Sequence, residues 1–293
     1  MMSERGPVVV TGAAGQLGSA MTAAFAHRAS RSLTRADLDI ASPTAVRDVL
    51  GGLDPSLIIN CAAFNDVDGA EDDPQAALVV NALAVRSLAR AAEACGAALV
   101  HFSTDFVFDG AGHGRPYVET DRPAPASVYA SSKLAGEWFA MEAPRAYVLR
   151  VESLFGCPRG WTGRVGTLDG MVARLEAGEP VRAFTDRVVT PSRISDVADA
   201  TRHLVATGAA PGLYHCVNSG QATWAEIALA AAARLGARGP IVPALAADTP
   251  MKAARPLYCA LDNGKLAAAG FAMPSWTAAL DAWFAARQGP SSM

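Results

Sequence analysis

Residues 8–21 read VVVTGAAGQLGSAM. The three valines predict a buried strand and the run after Gln16 predicts a helix, so Gly12, Gly15 and Gly18 fall in and just after the turn between them. Glycines there permit a tight turn, let a pyrophosphate approach the backbone and let the helix pack closely on the strand. The free amides at the helix start favour an anion. The spacing alone also fits an ordinary strand-to-helix turn, and the rest of the chain has to decide.

Outward from this loop, short β-rich runs alternate with Ala-rich helical stretches: RSLT (31–34), a helix after Ser42-Pro43, SLIINCAA (56–63), a long helix after Asp73-Pro74, and AALVHFST (97–104). Ser42 and Asp73 suit the N-cap position, and the Pro after each has no amide hydrogen to leave unpaired. This alternation predicts an α/β fold, a Rossmann-type doubly wound parallel sheet over residues 1–155 that elements near 188–208 complete. After Cys157 the alternation weakens. PRGWTGRVG (158–166), the strand-like GLYHCVN (212–218) and helices from Thr223 and Ser275 predict a smaller C-terminal α/β substrate-binding unit, 156–293. TWAE (223–226) fits a capping box, and the tail QGPSSM (288–293) is expected to fray.

The 293 residues are 51% hydrophobic and 18% charged, with 25 basic and 28 acidic residues scattered along the chain. No basic cluster points to nucleic acid, and a small-molecule partner is expected instead. Five dispersed cysteines without C-x-x-C, and five histidines without a ligand pattern, predict neither a disulfide framework nor a transition-metal site. The stretch before the first strand is too short for a signal peptide, and IALAAAARL (227–235) is too short to span a bilayer, so a cytoplasmic protein is expected.

YASSK (129–133) places Tyr129 and Lys133 four residues apart on one helix face. A neighbouring ammonium lowers a phenol's pKa and would make a tuned acid of it. Alone, the pentapeptide equally describes a packed ring and a solvated amine. The G-x-x-G-x-x-G loop, the strand-end Thr104 of HFSTDFVFDG (101–110) and YASSK, in that order, resemble the short-chain dehydrogenase/reductase superfamily. NCAAFNDVDGAE (60–71), Asn81, GRPYVETDRPAPASVYASSKLAGE (114–137) and DRVVTPSRISDVADA (186–200) narrow the resemblance to the dTDP-4-dehydrorhamnose reductase family, over about residues 7–287. Related dehydratases usually follow Thr-Asp with Glu. Here Phe106 stands in that place and cannot move a proton.

The resemblance implies reduction of a 4-keto group on a nucleotide-activated 4-keto-6-deoxy sugar, dTDP-linked. Tyr129 supplies the proton, Lys133 lowers its pKa and binds the nicotinamide ribose, and Thr104 orients the ketone. Implied cofactor contacts are Gly12, Gly15, Gln16, Leu17, Gly18, Arg35, Asp39, Ile40, Ala62, Ala63, Asn81, Tyr129 and Lys133. Implied substrate contacts are Thr104, Asp105, Val107, Ser153 and Arg255. SLTRADLDI (32–40) offers Arg35 and no acid where a ribose 2′-hydroxyl would need one, which favours NADPH, with NADH as the alternative. VESLFG (151–156) departs from the family's T-S-W-V-Y-G and puts Ser153 where a Trp faces the sugar, so a changed hexose pocket is expected. The resemblance allows a homodimer. It also extends to the regulatory subunit of methionine adenosyltransferase, a cofactor-binding partner protein, and to other sugar-nucleotide epimerases and reductases.

Overall fold

A strand covered on both faces has to be apolar throughout, and Val8–Thr11 is buried along its whole length. In the computed structural model of the protein, which describes residues 6–112, 114–158, 160–237 and 239–288, this run is β1. With β2 (Ser30–Leu33), β3 (Leu57–Asn60), β4 (Ala98–Thr104), β5 (Ala146–Val151) and a sixth strand, Gly212–His215, it forms one sheet. Every pairing in that sheet is parallel, in the order β2, β1, β3, β4, β5, sixth strand. The tail from residue 289 lies outside the described residues.

Alternate side chains of the inner strands feed two separate apolar clusters. Val8, Val10, Leu57 and Ile59 pack with α1 (Gln16–Ala24) and the Ile194–Thr207 helix. Val9, Ile58 and Leu99 pack with α2 (Pro43–Leu53) and the Ala84–Cys95 helix. The sheet is therefore doubly wound, and its order reverses between β1 and β3, where such sheets open a crevice at their carboxyl ends. The GLYHCVN strand, placed by the sequence with the second unit, is instead the sixth strand of this sheet. The crossover helix Ile194–Thr207 buries its apolar face against the same core as α1, which carries the chain back to the β5 edge.

A third cluster, with Phe155, Leu168, Val181, Trp224, Ile227, Leu280 and Trp283, forms the core of the C-terminal part. Its strands are short pairs: Val181–Phe184 with Ile241–Ala244, Val188–Val189 with Ala222–Thr223, and Leu154–Phe155 with Ser192–Arg193. Thr223 and Glu226 form the expected capping box. No helix among the described residues is long and apolar enough to cross a membrane.

Ser42 and Asp73 cap as expected, accepting from the amides of Ala45 at 3.3 Å and Ala76 at 2.9 Å. The helix after Asp73 is not uniform. Pro74–Leu78 passes through a π turn, Val79–Leu83, into Ala84–Cys95. The π turn contains the buried Asn81, whose side chain accepts from the Phe64 amide (2.8 Å) and donates to the Phe64 carbonyl (3.0 Å) and Ser132 Oγ (3.0 Å). The Val128–Ala140 helix presses against this turn at Gly136, where an added Cβ would stand 2.1 Å from the Asn81 carbonyl oxygen.

Gly136→Ala has no room without moving one of the two helices. It is expected to lower stability by about 1–3 kcal/mol, the usual cost of overpacking, read as a fall in the urea midpoint at unchanged slope.

Candidate active site

Gly12 follows β1 with φ +66°, a backbone conformation that favours glycine. A Cβ there would lie 2.6 Å from the amide nitrogen of Ala62, so the two strand ends at the switch point touch through backbone. Asn60 fixes the second end. Its side-chain oxygen accepts from Thr11 Oγ1 (2.7 Å) and the Ala62 amide (3.2 Å), and its amide group meets His101 Nδ1 (3.1 Å). Gly15, at the N-cap of α1, supplies no side-chain cap. The first amides of that helix have no side-chain partner, and Gly15, Gln16, Leu17 and Gly18 line the cleft, which fits a dinucleotide pyrophosphate.

The cleft has a volume of about 890 Å³. Its walls bring together most of the sequence-predicted residues: Gly15, Gln16, Leu17, Gly18, Ala62, Ala63, Thr104, Asp105, Tyr129, Lys133, Ser153 and Arg255. Gln16 also donates to Asp169 Oδ2 at 3.3 Å, tying the glycine loop to the Thr167–Glu176 helix. Ser153 is held at φ +46°, uncommon for a residue other than glycine. Arg35 is exposed, two residues past β2, on the edge where the Leu33 carbonyl holds the Ala13 amide (3.1 Å).

Other expected residues lie off the walls. Asp39 is exposed and accepts from the Ala41 amide, Ile40 is packed in the core with Val46 and Leu50, and Asn81 braces the Phe64 backbone. Val107 is fully buried with Phe108, Tyr117 and Leu134.

Ser127 caps the helix that carries Tyr129 and Lys133, accepting from the Ala130 amide at 3.2 Å. Phe106 packs edge-on against the Tyr129 ring, with centroids 6.0 Å apart. The Lys133 amine donates to the Phe102 carbonyl at 2.5 Å. Glu137, one further turn along the same face, takes both forks of Arg150: Nε to Oε1 at 2.8 Å and Nη2 to Oε2 at 2.7 Å. Ser103 adds a bond of 2.6 Å to the same carboxylate.

The expected lowering of the Tyr129 pKa by Lys133 is not what the structure shows. Burial pushes the phenol above its ordinary value and the charge of Asp105 adds to that, while a Thr104 hydrogen bond and Arg164 act the other way. Burial pulls Lys133 down to about 8, against the upward pull of Glu137 and Cys61.

Sequence reasoning missed the cations that share the cleft, Arg164, Arg182 and Arg187. They come from three separate segments: Arg187 lies in DRVVTPSRISDVADA, Arg164 lies in PRGWTGRVG, which signalled only a weakening of the strand-helix alternation, and Arg182 lies in no stretch the sequence singled out. Arg255, which the sequence did single out, makes a bidentate pair with Asp68 at 2.8 Å for each arm, and the Ala253 amide bonds Asp68 at 2.9 Å. That pairing, with burial opposing it, lowers the Asp68 carboxyl to about 2. It fastens the 251–258 segment over NCAAFNDVDGAE.

Residues 6–288 match the family described as RmlD substrate binding domain. The chain belongs to this family. It is 38% identical to the dTDP-4-dehydrorhamnose reductase of Mycobacterium tuberculosis, covering 99% of this chain and 96% of that one. It is 35% identical to a probable dTDP-4,6-dihydroxy-2-methyloxan-3-one 4-ketoreductase of Streptomyces antibioticus, over 93% of this chain and 92% of the other. The crystal structure of dTDP-4-dehydrorhamnose reductase from Bacillus anthracis in complex with NADP superposes with a TM-score of 0.89 at 31% identity, over 96% of this chain and 99% of that one.

The lowered Lys133 pKa has a stability consequence. Between about pH 8 and the ordinary lysine value of 10.5, the unfolded chain holds this proton and the folded chain has lost it. Stability from this group therefore rises with pH across that window. The difference in urea midpoint between wild type and Lys133→Met is expected to shift in favour of wild type from about pH 7.5 to about pH 9.5; a constant difference contradicts it.

Proposed function

We propose that the chain reduces the 4-keto group of a dTDP-linked 4-keto-6-deoxy sugar with NADPH. One observation carries the reading: Thr104, Tyr129 and Lys133 share a cleft with an uncapped helix start and glycine loop as well as with four arginines. The uncapped amides suit the cofactor pyrophosphate and Arg35 its 2′-phosphate. Arg164, Arg182, Arg187 and Arg255 suit the diphosphate of a sugar nucleotide, which a lone neutral sugar would not require.

NADPH, when bound, supplies a hydride to the carbonyl carbon. The chain's own residues handle the charge this creates. Negative charge develops on the carbonyl oxygen, and a donor placed there stabilises the transition state more than the ground state. Tyr129 is protonated at neutral pH, since its pKa lies above the ordinary phenol value, and it donates to that oxygen. Lys133 is fixed by the Phe102 carbonyl and holds a positive charge beside the cofactor ribose and the phenol. Ser153 leaves the sugar pocket wider than a Trp would. This supports a sugar other than the rhamnose precursor as the preferred substrate, as the kinship with the Streptomyces antibioticus ketoreductase also does.

A panel of dTDP-linked 4-keto-6-deoxy sugars scored by single-turnover NADPH oxidation tests the reading. At least one should be consumed, and none being consumed sinks it. With the best substrate, Tyr129→Phe should slow the chemical step by roughly 100-fold to 10,000-fold with cofactor affinity and melting temperature kept. Arg35→Ala should lower the preference for NADPH over NADH by about tenfold or more, the worth of one hydrogen bond to a charged group. An unchanged ratio of the two dissociation constants removes Arg35 from the cofactor site.

A further inference from the structure

Two carboxyl groups stand behind the Thr104 hydroxyl. Asp105 follows β4 and Glu152 follows β5; they are 4% and 1% exposed. One oxygen from each and the Cys259 sulfur all lie within 4.8 Å of one another. Glu152 Oε1 is buried without a hydrogen-bond partner, and Asp105 Oδ2 is buried with none beyond the Cys259 thiol, which hydrogen-bonds the Asp105 carboxyl. The remaining oxygens are engaged: Asp105 Oδ1 accepts from Thr104 at 2.9 Å, and Glu152 Oε2 accepts from the Thr190 amide at 2.8 Å.

The charge count decides what such a group can hold. Arg187, 8% exposed, faces Asp105, Glu152 and Cys259, and Tyr258 and Tyr129 feel the two acids from outside. Burial holds the Cys259 thiol protonated. Two carboxylates against one guanidinium would leave a net negative charge in a dry site, and a single proton removes it. A divalent cation would instead face Arg187 and a thiol that keeps its hydrogen. Burial raises both acids, Asp105 to about 6 and Glu152 well beyond its ordinary value.

Thr104 has one hydroxyl hydrogen and two neighbours for it, Asp105 and Tyr129. When Asp105 is ionised, the hydrogen points to the carboxylate. When Asp105 is protonated, its O–H donates to Thr104 Oγ1 and the Thr104 hydrogen turns to the phenol.

We propose that Asp105 and Glu152 share one proton at neutral pH, and that this proton, passed through the Thr104 hydroxyl, restores the Tyr129 phenol after each reduction. The proposal rests on the ketoreductase reading. The Tyr129 O–H bond breaks as the product oxygen gains its proton. The Thr104 O–H then protonates the phenolate, the Asp105 O–H protonates Thr104, and the carboxyl pair regains one proton from water once product leaves. No oxidation state changes in these steps, so the hydride remains the whole of the redox change. Glu152 acts through Asp105 and Thr104 and is a positioning residue.

Glu152→Gln keeps the side-chain oxygen that accepts from Thr190 and leaves Asp105 alone beside Arg187, so Asp105 should fall toward the ordinary carboxylate range. At about pH 8 the variant should complete its first turnover at the wild-type rate and then run about tenfold or more slower in steady state. Lowering the pH to about 6 should restore it, and the alkaline limb of its rate profile should lie below that of wild type. A structural role alone would move none of these. Independently of any substrate, the infrared spectrum of wild type at neutral pH should show a protonated-carboxyl stretch that shifts in D2O and is missing from Glu152→Gln. Absence of that band in wild type, an unmoved profile without a slow phase in the folded variant, or a divalent ion bound one to one in wild type and lost in the variant overturns the proposal. Failure of every sugar nucleotide would overturn the ketoreductase reading, and the infrared band then decides on the shared proton separately.

Discussion

A carboxylate and a guanidinium buried together, Glu137 with Arg150, set where Tyr129 and Lys133 sit. Arg150 is 2% exposed, on β5, and Glu137 lies two turns beyond Tyr129 on the same helix face. Their bidentate geometry, the Ser103 bond from β4 and the stacking of Arg150 over Phe108 at 4.9 Å bind helix and sheet at one point. Taking two charges out of water costs several kcal/mol for each, and only close, complete pairing offsets this. A helix held by a bond of that directionality has one rotation and one depth relative to the sheet. Tyr129 and Lys133, on the same stripe, inherit both.

The opposite side of that helix is fixed by contact rather than charge. Gly136 lets the Asn81 carbonyl approach to a distance that no side chain would allow, and the π turn directs Asn81 to the Phe64 backbone and to Ser132. The loop carrying Ala62 and Ala63 is thus positioned by the helix that carries the phenol. The same loop meets Gly12 on its other flank. The glycine loop, the loop of Ala62 and Ala63 and the Tyr129 helix are one continuous assembly, and a displacement of any should be felt by the others.

The doubly wound sheet was legible because its signals are local: valines on a strand, caps at Ser42 and Asp73, and glycines at a turn. The stripe from Tyr129 to Lys133 was legible for the same reason, and extending its spacing by four would have found Glu137. The π turn left no comparable mark, since Val79–Leu83 reads as ordinary helix and its register is set by what Asn81 touches. The Asp105, Glu152 and Cys259 group joins positions that sequence separates by 47 and 107 residues, and only the adjacency of β4 and β5 with the 259 segment unites them. The direction of the Tyr129 shift was misjudged for a related reason. A pair seen on a helix wheel suggests a charge effect, whereas burial by the surrounding cleft dominates it.

That burial has a consistent effect on both members of the pair. It raises the phenol and lowers the amine, so each is biased toward its neutral form. At neutral pH the phenol is therefore protonated, while the amine, lowered to about 8, still keeps most of its charge. In the proposed reaction the phenol faces an oxygen that becomes strongly basic as hydride arrives, so a raised pKa does not prevent it from donating. The fixed polar groups, the Thr104 hydroxyl, the Lys133 amine on the Phe102 carbonyl and the arginines along the wall, are already oriented before that moment. They need no reorganisation when the oxygen becomes negative, and this is where an enclosed site gains most over water.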